Sequence, residues 1–185
     1  MLAPEALTYV IHRYPAHLID RVTLADGRSI TLRPVLPQDQ AMARSFVRQL
    51  SPESRYARFF AGFPELSQSM ATYLTQVDYT RHLGLIAETV DDDCEVQIGE
   101  ARYVVADDAG GAEFAVAVDD QWQGSGVGAK LMDALERAAR GAGISHLYGD
   151  VLAINRKARA FFERRGFICE TNPADATLLR ATLVL

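Results

Sequence analysis

The sequence predicts a mixed α/β fold of the α+β kind, with helices first, an antiparallel meander of strands next and one β-α-β unit late in the chain. Apolar residues recur at helical spacing in the first part of the chain, and strand-like apolar runs replace them from residue 83 onward. A glycine-rich segment at residues 119–128 leaves a predicted strand and enters a predicted helix, and it marks the late unit.

Length and composition restrict the class of protein. The chain has 185 residues, of which 49% are apolar and 23% are charged, as in one ordinary globular domain. We expect an N-terminal arm or edge segment over residues 1–21 and a single domain over residues 22–185. The net charge of −5 argues against a nucleic-acid partner.

Several other classes are excluded by what the sequence lacks. No apolar run is long enough for a membrane span, and residues 1–15 do not resemble a secretory signal, so we expect a cytoplasmic protein with no membrane partner. The two cysteines lie far apart, and the four histidines lack metal-binding spacing, so we expect no structural metal.

The first half of the chain predicts a hairpin followed by helices. Asp26-Gly27 suits a tight turn between strands at residues 22–24 and 30–32. Apolar residues at helical spacing predict a helix over residues 38–50. Ser51-Pro52 and Ser67 are typical helix starts.

The second half alternates strands with two helices. We predict a loop over residues 107–111, a helix over residues 126–140 that ends at the following glycines, and a helix capped by Asn155 that ends at Gly166. The predicted strands are residues 83–90, 96–105, 113–118, 146–152, 167–169 and 177–184.

Three alternate glycines, Gly124, Gly126 and Gly128, form the most informative segment. Such a loop lets successive backbone N–H groups point into one concavity with a helix N-terminus behind it, which predicts a phosphate or pyrophosphate site. A tight turn without a ligand is the alternative interpretation.

Other phosphate-binding patterns fit this loop less well. The P-loop pattern fails because Lys130 lacks its glycine partner at the required spacing. A dinucleotide fingerprint, Gly124-x-Gly126-x-x-Ala129, remains a minor alternative, because Asp150 lies too far along the chain and inside a strand.

Five motifs occur in order along the chain: Arg33-Pro34-Val35-x-Pro37-x-Asp39, the run Leu50 to Phe60, Glu113-Phe114-Ala115-Val116, Gln123-x-x-Gly126-x-Gly128, and Asn155 with Ala158 and Gly166-Phe167. With these motifs the sequence resembles the GNAT superfamily of N-acetyltransferases, and within it the catalytic domain of Pat-type bacterial protein lysine acetyltransferases. The resemblance implies a mixed, mostly antiparallel sheet with splayed fourth and fifth strands, flanked by helices.

The resemblance implies acetyl transfer from acetyl-CoA to a primary amine by direct attack in a ternary complex. A protein lysine is the favoured acceptor; a small-molecule amine and a non-catalytic acyl-CoA sensor are the alternatives. A homodimer is common in this fold.

The resemblance also implies which residues bind acetyl-CoA. The pantetheine arm would pair with the backbone of one strand end, and the pyrophosphate would lie against the glycine loop. Asn155 would contact the cofactor or would only cap its helix. The expected cofactor-binding residues are Val116, Ala117, Val118, Gln123, Gly124, Ser125, Gly126, Val127, Gly128 and Asn155.

For proton transfer, the resemblance favours Glu113 as the general base, and Glu100 on the neighbouring strand is the alternative base. Without the resemblance, Glu113 is an ordinary carboxylate at a strand end, and the Glu100 side chain could instead pair with Arg102 or face solvent. The general acid is open, because Phe162 stands where many GNAT enzymes have a tyrosine; Tyr148 and Tyr103 are possible substitutes.

Overall fold

The computed structural model describes residues 12–105 and 110–185, and within them the chain forms one open sheet of eight strands and five α-helices. The strands are β1 (Asp20–Thr23), β2 (Ser29–Pro34), β3 (His82–Asp91), β4 (Cys94–Val105), β5 (Gly111–Val118), β6 (His146–Leu152), β7 (Ile168–Asn172) and β8 (Asp175–Val184). The helices are α1 (Gln40–Gln49), α2 (Pro52–Phe59), α3 (Gln68–Thr75), α4 (Val127–Gly141) and α5 (Arg156–Arg164).

The topology confirms the predicted mixed fold. The strand order is β1-β2-β3-β4-β5-β6-β8-β7, and every neighbouring pair is antiparallel except β5 and β6, which are parallel. A parallel pair needs a crossover connection, and α4 provides it, so β5-α4-β6 is the predicted late β-α-β unit.

Strands β5 and β6 part soon after they meet. They pair only at Gly111↔His146, Ala112↔Leu147 and Glu113↔Tyr148, although β5 continues to Val118 and β6 to Leu152. These are the splayed fourth and fifth strands of the expected fold, counted without the edge strand β1. The gap between their separated ends is the feature around which the cleft described below is built.

Local sequence signals start the helices where they were predicted. The Ser51 and Ser67 hydroxyls accept hydrogen bonds from the amides three residues on, at 3.1 and 3.2 Å. Of the predicted N-terminal segment, residues 1–11 lie outside the described residues, and residues 20–21 begin the edge strand β1. The predicted loop at 107–111 also lies largely outside them.

The Arg33 to Asp39 motif builds a buried ion cluster beside the first helix. Arg33 donates two hydrogen bonds to Asp39, at 2.7 and 3.1 Å, and one to Glu88 of β3, at 2.8 Å. Asp39 also accepts from the Leu36 amide at 2.7 Å. The cluster therefore fixes the turn between β2 and α1 against the sheet.

Side-chain alternation along β4 separates two layers of the molecule. Ala101 and Tyr103 lie in the large core with Leu131 and Leu135 of α4. The intervening Glu100 and Arg102 point to the opposite face, because successive strand residues alternate between faces. That opposite face is covered by α1, α2 and α3, with a smaller apolar core around Phe46.

Replacing Gly149 with alanine should destabilise the fold by about 1–3 kcal/mol. A Cβ at Gly149 of β6 would lie only 2.7 Å from the Phe114 carbonyl oxygen and 3.0 Å from the Phe114 ring. Thermal unfolding measures the loss. Gly141→Ala is the control, since nothing lies within 4 Å of a Cβ there, and equal melting temperatures for the two variants would contradict the close approach.

Candidate active site

A cleft of about 1270 Å³ opens where β5 leaves β6. Its walls come from the second half of β5, the glycine loop, the start of α4, one face of α5 and the outer side of α2. The cleft therefore brings together segments that lie up to about a hundred residues apart in the sequence, from Ser51 to Arg165.

The edge of β5 that faces the cleft has backbone groups without a strand partner. The Phe114 carbonyl points toward Gly149, and the Ala117 carbonyl points the other way, toward Gly99 of β4. By alternation the backbone groups of Val116 and Val118 face the cleft. Of the three residues predicted to pair with a ligand, Val116 and Val118 present their backbone groups to the cleft, while those of Ala117 point to β4.

The glycine loop presents backbone amides at the start of a long helix. Gly124 and Gly126 have φ angles of +79° and +100°, a region that favours glycine. Gly126 is the N-cap of α4, and no side chain caps that helix. The N–H groups of its first turn are therefore available to an anion, and the macrodipole of a 15-residue helix favours one there.

Side chains around the loop hold its shape. The Gln123 amide donates to the Val118 carbonyl at 3.3 Å and to the Ser54 hydroxyl at 3.2 Å. The Ser125 hydroxyl donates to the Trp122 carbonyl. The guanidinium of Arg28, in the β1–β2 turn, lies 3.8 Å from the centre of the Trp122 ring.

Helix α5 contributes a polar cap and positive charge to the cleft. Asn155 lines the cleft, and its side chain accepts from the Ala158 amide at 3.0 Å, so the capping interpretation is geometrically satisfied. Lys157 and Arg164 are exposed and also line the cleft. Arg165 instead forms ion pairs with Asp133 and Glu136 of α4, both at 2.7 Å.

A smaller pocket of about 250 Å³ shares a wall with the cleft. Five residues line both cavities and form the shared wall: Arg58, Phe59, Glu113, Phe114 and Ala115. The remaining sides come from α3 and β4: Met70, Tyr73, Leu74, Arg102 and Val104. Glu113 is exposed, so its carboxylate is accessible at the junction of the two cavities.

Glu100 lies in a buried ion cluster, and this argues against it as the alternative base. Its carboxylate accepts from Arg58 and from Arg102, both at 2.8 Å. Burial alone would raise the pKa of Glu100, but the two guanidinium groups outweigh burial and lower that pKa to about 2. Such a carboxylate has little affinity for a proton, and both of its oxygens are already in use.

The sequence matches the acetyltransferase (GNAT) family over residues 46–167. This chain belongs to the GNAT family. An acetyltransferase of Pseudomonas aeruginosa is 32% identical to it over 163 residues, which is 88% of each chain. Acetyltransferase Pat of Mycolicibacterium smegmatis is 31% identical over 148 residues, or 80% of this chain, and the aligned region spans only 44% of Pat.

Solved structures place this GNAT enzyme close to the Pat-type catalytic domain. The GNAT domain of S. lividans PAT superimposes with a TM-score of 0.85 and 31% identity, covering 94% of this chain and 100% of that domain. An acetyltransferase of Salmonella typhimurium solved with acetyl-CoA shares the fold, with a TM-score of 0.66, 17% identity and coverage of 84% of this chain and 94% of that one. The chain is therefore an N-acetyltransferase.

Phe162 stands where the resemblance expects a tyrosine, and the two tyrosines named as substitutes lie outside the walls of both cavities. Phe162 is buried and packs 5.2 Å from the Phe114 ring. The Tyr103 hydroxyl donates to the Thr80 carbonyl at 3.2 Å, and burial raises the pKa of Tyr103 to about 12. Tyr103 lies in the core under α4, and Tyr148 is not part of either cavity wall.

Two residues of the site, Asp120 and Arg58, were not assigned a role by sequence reasoning. Each of them forms a hydrogen bond with a residue more than 40 positions away in the chain, and no local sequence pattern predicts such a bond. In the part of the chain that the structure describes, no cluster of His, Cys, Asp and Glu could hold a metal ion. No helix among residues 12–105 and 110–185 could span a membrane.

His82 lies beside the ion cluster, behind the smaller pocket. Arg102 donates to its Nε2 at 3.0 Å, and the Tyr73 ring lies 4.9 Å away. Burial and the positive charge of Arg102 lower the pKa of His82 to about 4, against opposing effects of Asp78 and Glu100. His82 is therefore neutral in the folded protein at pH values where it would ordinarily begin to take up a proton.

The fold should lose about 1–3 kcal/mol of stability between pH 6.5 and pH 4 because of His82. In that range the unfolded chain binds a proton at this histidine and the folded chain does not, so acid favours unfolding. Urea unfolding at a series of pH values measures the slope. His82→Gln should flatten the slope, and an unchanged slope in this variant would contradict the assignment.

Proposed function

We propose that this GNAT enzyme transfers an acetyl group from acetyl-CoA to the ε-amino group of a lysine in a protein. The observation that carries the proposal is the position of Glu113, at the junction of the large cleft and the smaller pocket. The similarity to Pat supports a lysine acceptor, as does the shape of the pocket.

The smaller pocket suits one extended amine side chain. Its volume of about 250 Å³ corresponds to roughly eight water-sized groups, enough for the methylenes and ammonium of one lysine. Phe59, Met70 and Leu74 offer apolar contacts to the methylenes. Glu113 at the open end then lies where the nitrogen would enter the cleft.

The large cleft is proposed to hold acetyl-CoA, and its residues fit the group. The first-turn amides of α4 and the loop from Gln123 to Gly128 would bind the pyrophosphate. The exposed backbone of Val116 and Val118 would pair with the pantetheine arm as an added strand does. Lys157 and Arg164 offer positive charge to the phosphates, and Asn155 lines the same wall.

Proton removal is the task proposed for Glu113. A lysine ammonium has an ordinary pKa of about 10.4, so it must lose a proton before its nitrogen can attack at neutral pH. Acetyl-CoA, when bound, supplies the activated thioester. The exposed carboxylate of Glu113 would accept the ammonium proton, directly or through one water, and the backbone N–H of Val116 would polarise the thioester carbonyl. As the nitrogen forms the new amide bond, the thioester C–S bond would break, and CoA would leave as a thiolate that takes its proton from water.

Two substitutions should separate cofactor binding from turnover. Glu113→Gln is expected to lower kcat by about 10²–10⁴-fold, because the base is lost, and to leave the Kd for acetyl-CoA unchanged. Gly126→Asp is expected to abolish acetyl-CoA binding, because it places a carboxylate and a strained φ angle at the loop. Isothermal titration and a lysine-peptide acetylation assay measure the two quantities.

Each variant has a matched control. Gly143→Asp places the same residue at a φ angle of +74°, at the other end of α4, and should bind acetyl-CoA normally. Glu170→Gln removes a carboxylate from β7, away from both cavities, and should retain full turnover. Full activity of Glu113→Gln would contradict the base assignment. Acetylation of small free amines in preference to lysine peptides would contradict the acceptor.

A further inference from the structure

Helix α2 forms part of both cavities, although it has no buried residue of its own. Arg58 and Phe59 of its last turn line the smaller pocket, and Glu53, Ser54 and Ala57 line the cleft. None of its eight residues is buried. Phe59, in its last turn, packs partly buried against the smaller apolar core. Polar contacts therefore contribute much of what fixes the rest of the helix.

Asp120 provides the contact at the N-terminal end. It lies in the short 3-10 turn between β5 and the glycine loop. One carboxylate oxygen accepts from the Ser51 amide at 2.8 Å, and the other accepts from the Ser51 and Ser54 hydroxyls at 2.9 and 2.6 Å. Ser51 in turn caps α2 through the Ser54 amide.

The charge of Asp120 suits this position. Burial would raise the pKa of Asp120, but the hydrogen bonds from Ser51 and Ser54 outweigh it and hold that pKa below its usual value. A negative charge at a helix N-terminus also interacts favourably with the macrodipole. Asp120 is thus an ionised second cap, supplied to α2 from a segment 66 residues further along the chain.

The opposite end of α2 is fixed to the sheet. Arg58 donates to Glu100 of β4 at 2.8 Å, with a side chain only 10% exposed. Nearer the middle of the helix, Arg55 donates to the Val47 and Leu50 carbonyls at the end of α1, both at 3.3 Å. Among the described residues, the hydrogen bonds that join α2 to the segment leading into the glycine loop lie at the N-terminal end of α2, at Ser51 and Ser54.

Gln123 joins that contact to the loop itself. Its amide donates to the Ser54 hydroxyl at 3.2 Å and approaches the Asp120 carboxylate at 3.4 Å. We call Asp120, Ser51, Ser54 and Gln123 the Asp120 cluster. This cluster links the proposed pyrophosphate loop to α2, which forms part of the wall of the smaller pocket, the proposed acceptor pocket. Gln123 therefore contacts the start of α2 directly, through Ser54, as well as belonging to the loop.

We propose that Asp120 is a positioning residue, which couples the binding of acetyl-CoA at the glycine loop to the position of α2 and hence to the shape of the acceptor pocket. The inference rests on the proposed function only in that acetyl-CoA binds this loop. It does not depend on the identity of the acceptor, and its first test uses no acceptor.

Hydrogen–deuterium exchange of the α2 amides, measured on the full chain with and without acetyl-CoA, tests the coupling. Acetyl-CoA should slow exchange over residues 52–59 in the wild type. In Asp120→Ala, exchange over these residues should be about tenfold faster without ligand, since hydrogen bonds to a charged group are lost. The slowing caused by acetyl-CoA should disappear, although isothermal titration should still show binding with a Kd within about threefold of wild type.

Asp119→Asn is the matched control, because it removes one negative charge from the adjacent residue. Asp119 accepts from the Gln121 amide at 2.9 Å, and asparagine caps such a turn as well as aspartate does. This variant should respond to acetyl-CoA as the wild type does. Ser54→Ala should reproduce part of the Asp120→Ala effect, and the two substitutions together should add little, because they break the same contact.

Kinetics then distinguish positioning from a merely structural role. With a lysine-peptide acceptor, Asp120→Ala should raise the KM for the acceptor about threefold to tenfold while kcat and the KM for acetyl-CoA stay close to wild type. A residue that only stabilises the fold would lower the melting temperature and leave both KM values unchanged. If acetyl-CoA slows α2 exchange equally in Asp120→Ala, the coupling is wrong. If acetyl-CoA does not bind the wild type, the proposed function fails first.

Discussion

The separation of β5 from β6 after Glu113 and Tyr148 is the constraint on which the rest of the site depends. A parallel pair that stayed together would leave no unpaired backbone inside the sheet. Because these two strands diverge, one edge of β5 has backbone groups without a strand partner in the middle of the molecule, flanked by the start of α4. Unpaired strand edges accept an extended partner, and the proposed partner is the pantetheine arm of acetyl-CoA.

The two faces of the sheet position the site by different interactions, apolar packing on one and a buried ion cluster on the other. On one face, Leu131 and Leu135 of α4 pack in a continuous apolar core with residues of β4 and β5. This packing holds the start of α4, and with it the glycine loop, against the two strands. On the other face, Glu100 and Arg102 replace apolar residues and receive Arg58 from α2. A buried ion cluster contributes less to net stability than apolar packing would, but its hydrogen bonds have direction. It therefore places Arg58 and the wall of the smaller pocket beside Glu113.

The strands, the helices and the glycine loop can be predicted from the sequence because their signals are local. Asp26-Gly27, the serine caps and the alternate glycines each act within a few residues, and the structure places strands and helices accordingly. The contacts of Glu100 and Asp120 join segments 42 and 66 or more residues apart. The sequence predicts that residues 116–118 end one strand, and it does not separate Ala117 from Val116 and Val118. The side to which each backbone group points is decided only by the register of β4 on β5.

Amide proton exchange at single residues of β5, followed by NMR during an acetyl-CoA titration, tests the central claim most directly. Val116 and Val118 face the cleft and should become protected as acetyl-CoA saturates the protein. Ala117 is paired with β4 and should show the same slow exchange with and without the ligand. Unchanged exchange at Val116 on saturation, or new protection spread equally over all three residues, would contradict the account of β5 as an unpaired edge that accepts the cofactor.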